Sequence, residues 1–208
     1  MARLSWTAAT AELARRDPAF GAVIARAGPA KLRTKDPDGP FGALVRAIVY
    51  QQLAGRAAAA IHGRVRALVP GTLTPEALLA LPEEALRGAG LSAAKTASVR
   101  DLAAKAAAGE LALTNLGRLT DDDIVARLST VRGIGRWTAE MFLLFELRRP
   151  DVWPTADLGV REGWRLVHGL DEQPAPAALA LLGEPLRPLR SVAAWYCWQA
   201  VHIARGQL

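Results

Sequence analysis

The sequence predicts an all-α fold, on three observations. Apolar residues recur at spacings of three and four with strong helix formers between them, as in residues 41–69, FGALVRAIVYQQLAGRAAAAIHGRVRALV. Little of the chain alternates with period two, so strands have no pattern to build on. Helix-start signals punctuate the chain: Thr74 before Pro75 and Glu76 reads as an N-cap with proline in the first turn, and Thr120 with Asp123 reads as a capping box. Nine to eleven helices are expected.

The N-terminal residues 1–17, MARLSWTAATAELARRD, have no apolar core of signal-peptide length. No window approaches the roughly 18 uninterrupted apolar residues of a membrane span, so a soluble intracellular protein is expected. Residues 28–40, GPAKLRTKDPDGP, are too rich in proline, glycine and charge to be helical throughout and read as a linker into the helix at Phe41. The 208 residues suffice for one sizeable domain or two packed subdomains, and 51% hydrophobic content supplies the core. The single cysteine, Cys197, excludes an internal disulfide framework and any four-thiolate metal or iron–sulfur site built by this chain alone. Lys plus Arg number 26 against 20 Asp plus Glu, a net charge of +6. That excess suits a polyanionic partner, although codon bias toward Ala, Arg and Leu explains it equally well.

Position sharpens the charge argument. Residues 121–131 read as one helix and 136–147 as the next, joined by Arg132-Gly133-Ile134-Gly135. The glycines permit positive φ and close backbone approach, and Ile134 between them can plug the turn into the core. The start of the second helix offers unpaired N–H groups, a ready anion site, beside Arg132 and Arg136. A compact turn with a buried isoleucine explains the same residues without a ligand. Beyond the second helix, Val152-Trp153-Pro154-Thr155-Ala156-Asp157 leads into a helical stretch in which Asp157 reads as the N-cap. A carboxylate at a helix start is favoured as the anion and can face developing positive charge.

Together VRGIGRWTAEMFLLF and DVWPTADLGV resemble the helix-hairpin-helix (HhH-GPD) DNA glycosylases, and within them the alkylpurine, or 3-methyladenine DNA glycosylase II, branch. DPDGPFGALVRAIVYQQLAGRAA is similar to the family's helix and base-stack-probing loop, and PLRPLRSVAAWYCWQAVH to its C-terminal helix, so nearly the whole chain is covered. The resemblance implies two packed helical subdomains with a DNA-binding cleft between them: residues 1–39 with 165–208, and residues 40–164 with the hairpin and the catalytic loop. It implies that Asp157 is the essential carboxylate, stabilising an oxocarbenium-like sugar as the base departs. Trp137, Trp198, Met141 and Tyr50 correspond to the base pocket, Trp137 facing an electron-poor base with its π surface. Gln52 corresponds to the residue that fills the vacated stack and Leu53 to a wedge beside the opposite base.

In bifunctional relatives the position of Trp137 is a lysine that forms a Schiff base, so tryptophan there implies hydrolysis without lyase activity. Met141 stands where some relatives place a tyrosine, and the extra N-terminal β-rich domain of some relatives is not seen. The hairpin residues Arg132, Gly133, Ile134, Gly135 and Arg136 correspond to the DNA-backbone grip. The backbone carbonyls of Ser129, Val131 and Gly133 correspond to ligands of a structural Na+ or K+, with no cofactor needed for catalysis. The expected partner is duplex DNA containing damaged bases, met by a monomer at the nucleoid. Alternatives are a glycosylase for oxidised or deaminated bases and a non-catalytic DNA-binding module.

Overall fold

The computed structural model describes residues 5–207, so the first four residues searched for a leader lie outside it. Among the described residues every regular element is helical. Helices α1 (Trp6–Arg16) and α2 (Gly21–Ala27) open the chain. Then come α3 (Gly39–Tyr50), α4 (Gly55–Ala67), α5 (Pro75–Leu79), α6 (Glu83–Gly88), α7 (Ala93–Ala107), α8 (Asp121–Leu128) and α9 (Arg136–Phe145). The chain closes with α10 (Leu158–His168), α11 (Pro176–Leu182) and α12 (Arg190–Ala204), and three short 3-10 turns complete the set. No helix is long and apolar enough to cross a membrane.

Two compact units are present, Met1–Arg33 with Arg148–Leu208, and Thr34–Leu147. These bounds differ from the expected 1–39 with 165–208 and 40–164, chiefly because the loop before α10 belongs with the terminal helices. Long-range hydrogen bonds explain the difference. The Val152 N–H donates to Ser191 Oγ at 2.9 Å, the Ser191 N–H to the Pro150 carbonyl at 3.1 Å, and Trp153 Nε1 to the Leu179 carbonyl at 2.8 Å. No local pattern encodes those partners.

In the first unit α10 and α12 cross closely around Phe20, Trp153, Trp164 and Tyr196, all buried. The Tyr196 hydroxyl donates to the Gly28 carbonyl at 2.9 Å, which satisfies the polar tip of a fully enclosed ring. In the second unit the apolar faces of α3, α7, α8 and α9 bury Leu44, Ile48, Leu102, Ile124 and Leu143. Thr74 caps α5 through the Ala77 N–H, and Thr120 and Asp123 form a reciprocal capping box on α8, as the sequence predicts.

Two helix boundaries depart from the sequence reading. The apolar spacing of residues 41–69 runs on as one stretch, but the chain there forms two helices with the loop implied by the family resemblance between them, and the described residues hold twelve α-helices against the expected nine to eleven. The break at residues 51–54 has a distant cause: the ammonium of Lys95 donates to the carbonyls of Val49 and Gln51, both at 2.7 Å. In a continuing helix the Val49 carbonyl would accept the Leu53 N–H; that N–H turns instead to the Tyr50 carbonyl at 3.4 Å. Likewise α8 ends at Leu128 rather than at residue 131. The N–H groups of Thr130 and Val131 bond three residues back, to Arg127 and Leu128, tightening the chain out of the helix while Val131 stays buried and preserves the apolar spacing.

Candidate active site

The hairpin between α8 and α9 is seven residues long, 129–135. Gly133 has φ +79°, and a Cβ there would stand 2.6 Å from Ser98 Oγ on α7, so this position needs glycine on both counts. Gly135 is extended, with φ −96° and ψ 177°, and serves as the N-cap of α9. Ile134 is buried as expected, which limits its share in any ligand contact to its backbone. The Arg132 N–H is taken by Asp101 Oδ2 at 2.7 Å. Among the described residues the N–H groups of Gly133 and Gly135 donate to no protein acceptor. Arg136 is largely exposed and lies 3.8 Å from Asp122 and 3.6 Å from Glu140, so part of its charge is answered within the protein.

The same unit carries the loop after α3. Gln52 is exposed with φ +55°, a left-handed conformation that costs a residue with a Cβ on the order of 1 kcal/mol. Leu53 beside it is 38% exposed. The neighbouring Gln51 turns its amide inward, Nε2 donating to the Gly133 carbonyl at 2.8 Å and to Thr138 Oγ1 at 3.2 Å. Loop and hairpin are therefore directly bonded. Trp137, at the second position of α9, is 45% exposed and not a core aromatic; Met141, one turn on, shares its side of the helix and is half-buried. Tyr50, the last residue of α3, is half-buried like Met141. The guanidinium of Arg46 lies 4.3 Å from its ring centroid, and His62 meets it edge-on.

In the other unit Asp157 and Trp198 come together. Asp157 is 8% exposed and caps α10, its Oδ1 accepting the Val160 N–H at 2.8 Å and the Trp198 indole N–H at 3.0 Å. Two glycines on α10 that the sequence reading did not single out make this pairing possible. A Cβ on Gly159 would lie 2.8 Å from Trp198 Cδ1, and one on Gly163 would lie 2.0 Å from the Cys197 carbonyl oxygen. Their spacing of four puts both on the face of α10 that meets α12, the one signal available in the sequence. Cys197 is wholly buried; burial first and the charge of Asp157 second push its thiol well above the ordinary range, leaving an inert core residue.

A glycine hairpin joining two helices, in an all-α chain with a buried aspartate at a later helix start, defines a helix-hairpin-helix protein. Residues 45–188 match the HhH-GPD superfamily of base excision DNA repair proteins, and the chain belongs to that family. It is 35% identical over 175 residues to DNA-3-methyladenine glycosylase 1 of Schizosaccharomyces pombe, covering 83% of this chain and 77% of that protein. Among solved structures it is similar to the Schizosaccharomyces pombe 3-methyladenine DNA glycosylase Mag1 in complex with abasic DNA, with a TM-score of 0.82 and 33% identity over 91% of this chain and 94% of that one. A DNA-3-methyladenine glycosidase from Bacillus halodurans gives a TM-score of 0.83 and 36% identity, over 95% and 91% of the two chains.

Proposed function

We propose that this chain is a monofunctional DNA glycosylase that works as a monomer on duplex DNA at the nucleoid and removes alkylated purines of the 3-methyladenine and 7-methylguanine type. The observation that carries the reading is the fixed carboxylate. Asp157 is buried, held through Oδ1 by two donors, and seated at the start of α10. Alkylation at a ring nitrogen makes the purine a cation. When the glycosidic bond breaks, the base keeps the bonding electrons and leaves neutral, while positive charge passes to C1′ and the ring oxygen of the sugar. The carboxylate stabilises that charge. Water then adds its oxygen to C1′, and its surplus proton passes to the carboxylate and on to solvent, leaving an abasic sugar and the free base. No lysine stands at position 137 to form a Schiff base, so the strand stays intact.

The hairpin is the proposed phosphate grip, through the N–H groups of Gly133 and Gly135 and the side chains of Arg132 and Arg136. The exposed ring of Trp137, the adaptable thioether of Met141 and the ring of Tyr50, all in the same unit, are the proposed walls against the extruded base. Gln52 fills the gap it leaves and Leu53 wedges beside the opposite base. A monovalent cation fits the hairpin as a neutral, all-oxygen donor set from the carbonyls of Ser129, Val131 and Gly133. The last two each accept one hydrogen bond already, from the Ile134 N–H and Gln51 Nε2, and each retains a second lone pair. With those carbonyls holding it, a bound ion would supply positive charge for a DNA phosphate.

Incubation with methylated duplex DNA is expected to release 3-methyladenine or 7-methylguanine without strand cleavage. A panel of defined lesions that yields only oxidised or deaminated bases, or nothing, overturns the reading. Trp198→Phe, which keeps a ring and removes the donor to Asp157, is expected to slow excision roughly tenfold, as befits a lost hydrogen bond to a charged group. Single-turnover kinetics at saturating enzyme measures it.

A further inference from the structure

We infer that Lys95 is the positioning residue of the probing loop, and that α7 sets this loop and the hairpin in one register. The inference rests on the glycosylase reading of residues 51–53. Four polar side chains on α7, at positions 95, 98, 101 and 105, fall within an arc of about 120° on the helix surface. Each meets either the loop or the hairpin. Lys95 Nζ bonds the Val49 and Gln51 carbonyls on either side of Tyr50, where α3 gives way to the loop. Ser98 lies so close to Gly133 that a Cβ there would clash. Asp101 takes the Arg132 N–H, and Lys105 donates to the Thr130 carbonyl at 2.7 Å.

Gln51 closes the circuit by joining the loop to the hairpin directly. Its backbone carbonyl is one of the two that Lys95 holds, and the next residue is Gln52, in its left-handed conformation. Lys95 thus ends α3 at Tyr50, two positions before the probe, and fixes the peptide that aims it. Partial burial lowers the ammonium's pKa from its ordinary value, a desolvation cost that its two carbonyl partners offset. Such a residue touches no base and no sugar. It acts by holding Gln52 ready, before DNA arrives, at the distance from the phosphate grip that the duplex requires.

The test compares excision of 7-methylguanine from a duplex and from the same strand alone, using the full chain. Only the duplex has a stack to refill, so a misplaced probe lowers the ratio of duplex to single-strand rate constants. Lys95→Met is expected to lower that ratio about tenfold, a loss that general damage to the fold does not produce because it slows both substrates alike. Lys95→Gln, which retains a donor but reaches only one carbonyl, is expected to give an intermediate ratio, and it serves as the reporter if the methionine variant does not fold. A ratio within twofold of the unaltered protein in either folded variant overturns the proposal. If the unaltered protein releases no 7-methylguanine, the same ratio is read with 3-methyladenine, and release of neither base means that the glycosylase reading itself has failed.

Discussion

Asp157→Asn is expected to lower single-turnover excision of alkylated purines at least about 100-fold while leaving the fold in place. The two halves of this expectation have separate physical grounds. Asparagine caps helices about as well as aspartate, and its amide oxygen can still accept the Val160 N–H and the Trp198 indole N–H. The local geometry therefore survives, and thermal stability should stay within a few degrees. What is lost is the negative charge facing the sugar as the base departs, in a buried site where that charge is poorly screened. DNA affinity should be retained, because the proposed grip lies on the hairpin and not on this residue. Retained excision by a well-folded asparagine variant would remove the carboxylate from the mechanism.

The fold class and the local helix signals were legible because they are local. Thr74, Thr120 and Asp157 each announce a helix within three residues, and each caps the helix it announces. The hairpin glycines were legible as a turn, although only Gly133 uses the conformational freedom that both possess. Features fixed by distant partners were not. The apolar spacing of residues 41–69 runs unbroken through Gln51 and Gln52, where only the family resemblance marks a loop, and the lysine that holds the break lies more than forty positions away. The loop before α10 reads as a continuation of the hairpin segment, yet its backbone is bonded to α12. Tyr50 shows the same limit at a single side chain: the sequence cannot reveal that Arg46 lies over its ring. Gly159 and Gly163 left a trace, a pair of glycines four apart on a helix, but glycine at that spacing acquires meaning only when the opposing helix is known.

That pair yields the largest expected effect on stability. Gly163→Ala places a methyl 2.0 Å from the carbonyl oxygen of Cys197 and 2.3 Å from its carbon. Both atoms are main chain within α12, so no rotamer change relieves the clash and the two helices must separate. Overpacking against a rigid neighbour costs about 3 kcal/mol or more. For a chain of this length that corresponds to a fall in melting temperature of roughly 6–12 °C. Gly159→Ala meets a side chain instead, the Trp198 indole at 2.8 Å, which can tilt aside. Its expected cost in stability is smaller, but the tilt draws the indole N–H from Asp157 Oδ1, so excision suffers more than folding does. Gly63→Ala, on an exposed position of α4 with nothing near its added Cβ, is the control and should be neutral or stabilising by about 0.5–1 kcal/mol. Thermal melts and single-turnover excision on the three variants separate the two roles. Equal melting temperatures for the Gly163 and Gly63 variants would mean that the close crossing of α10 and α12 does not support the fold.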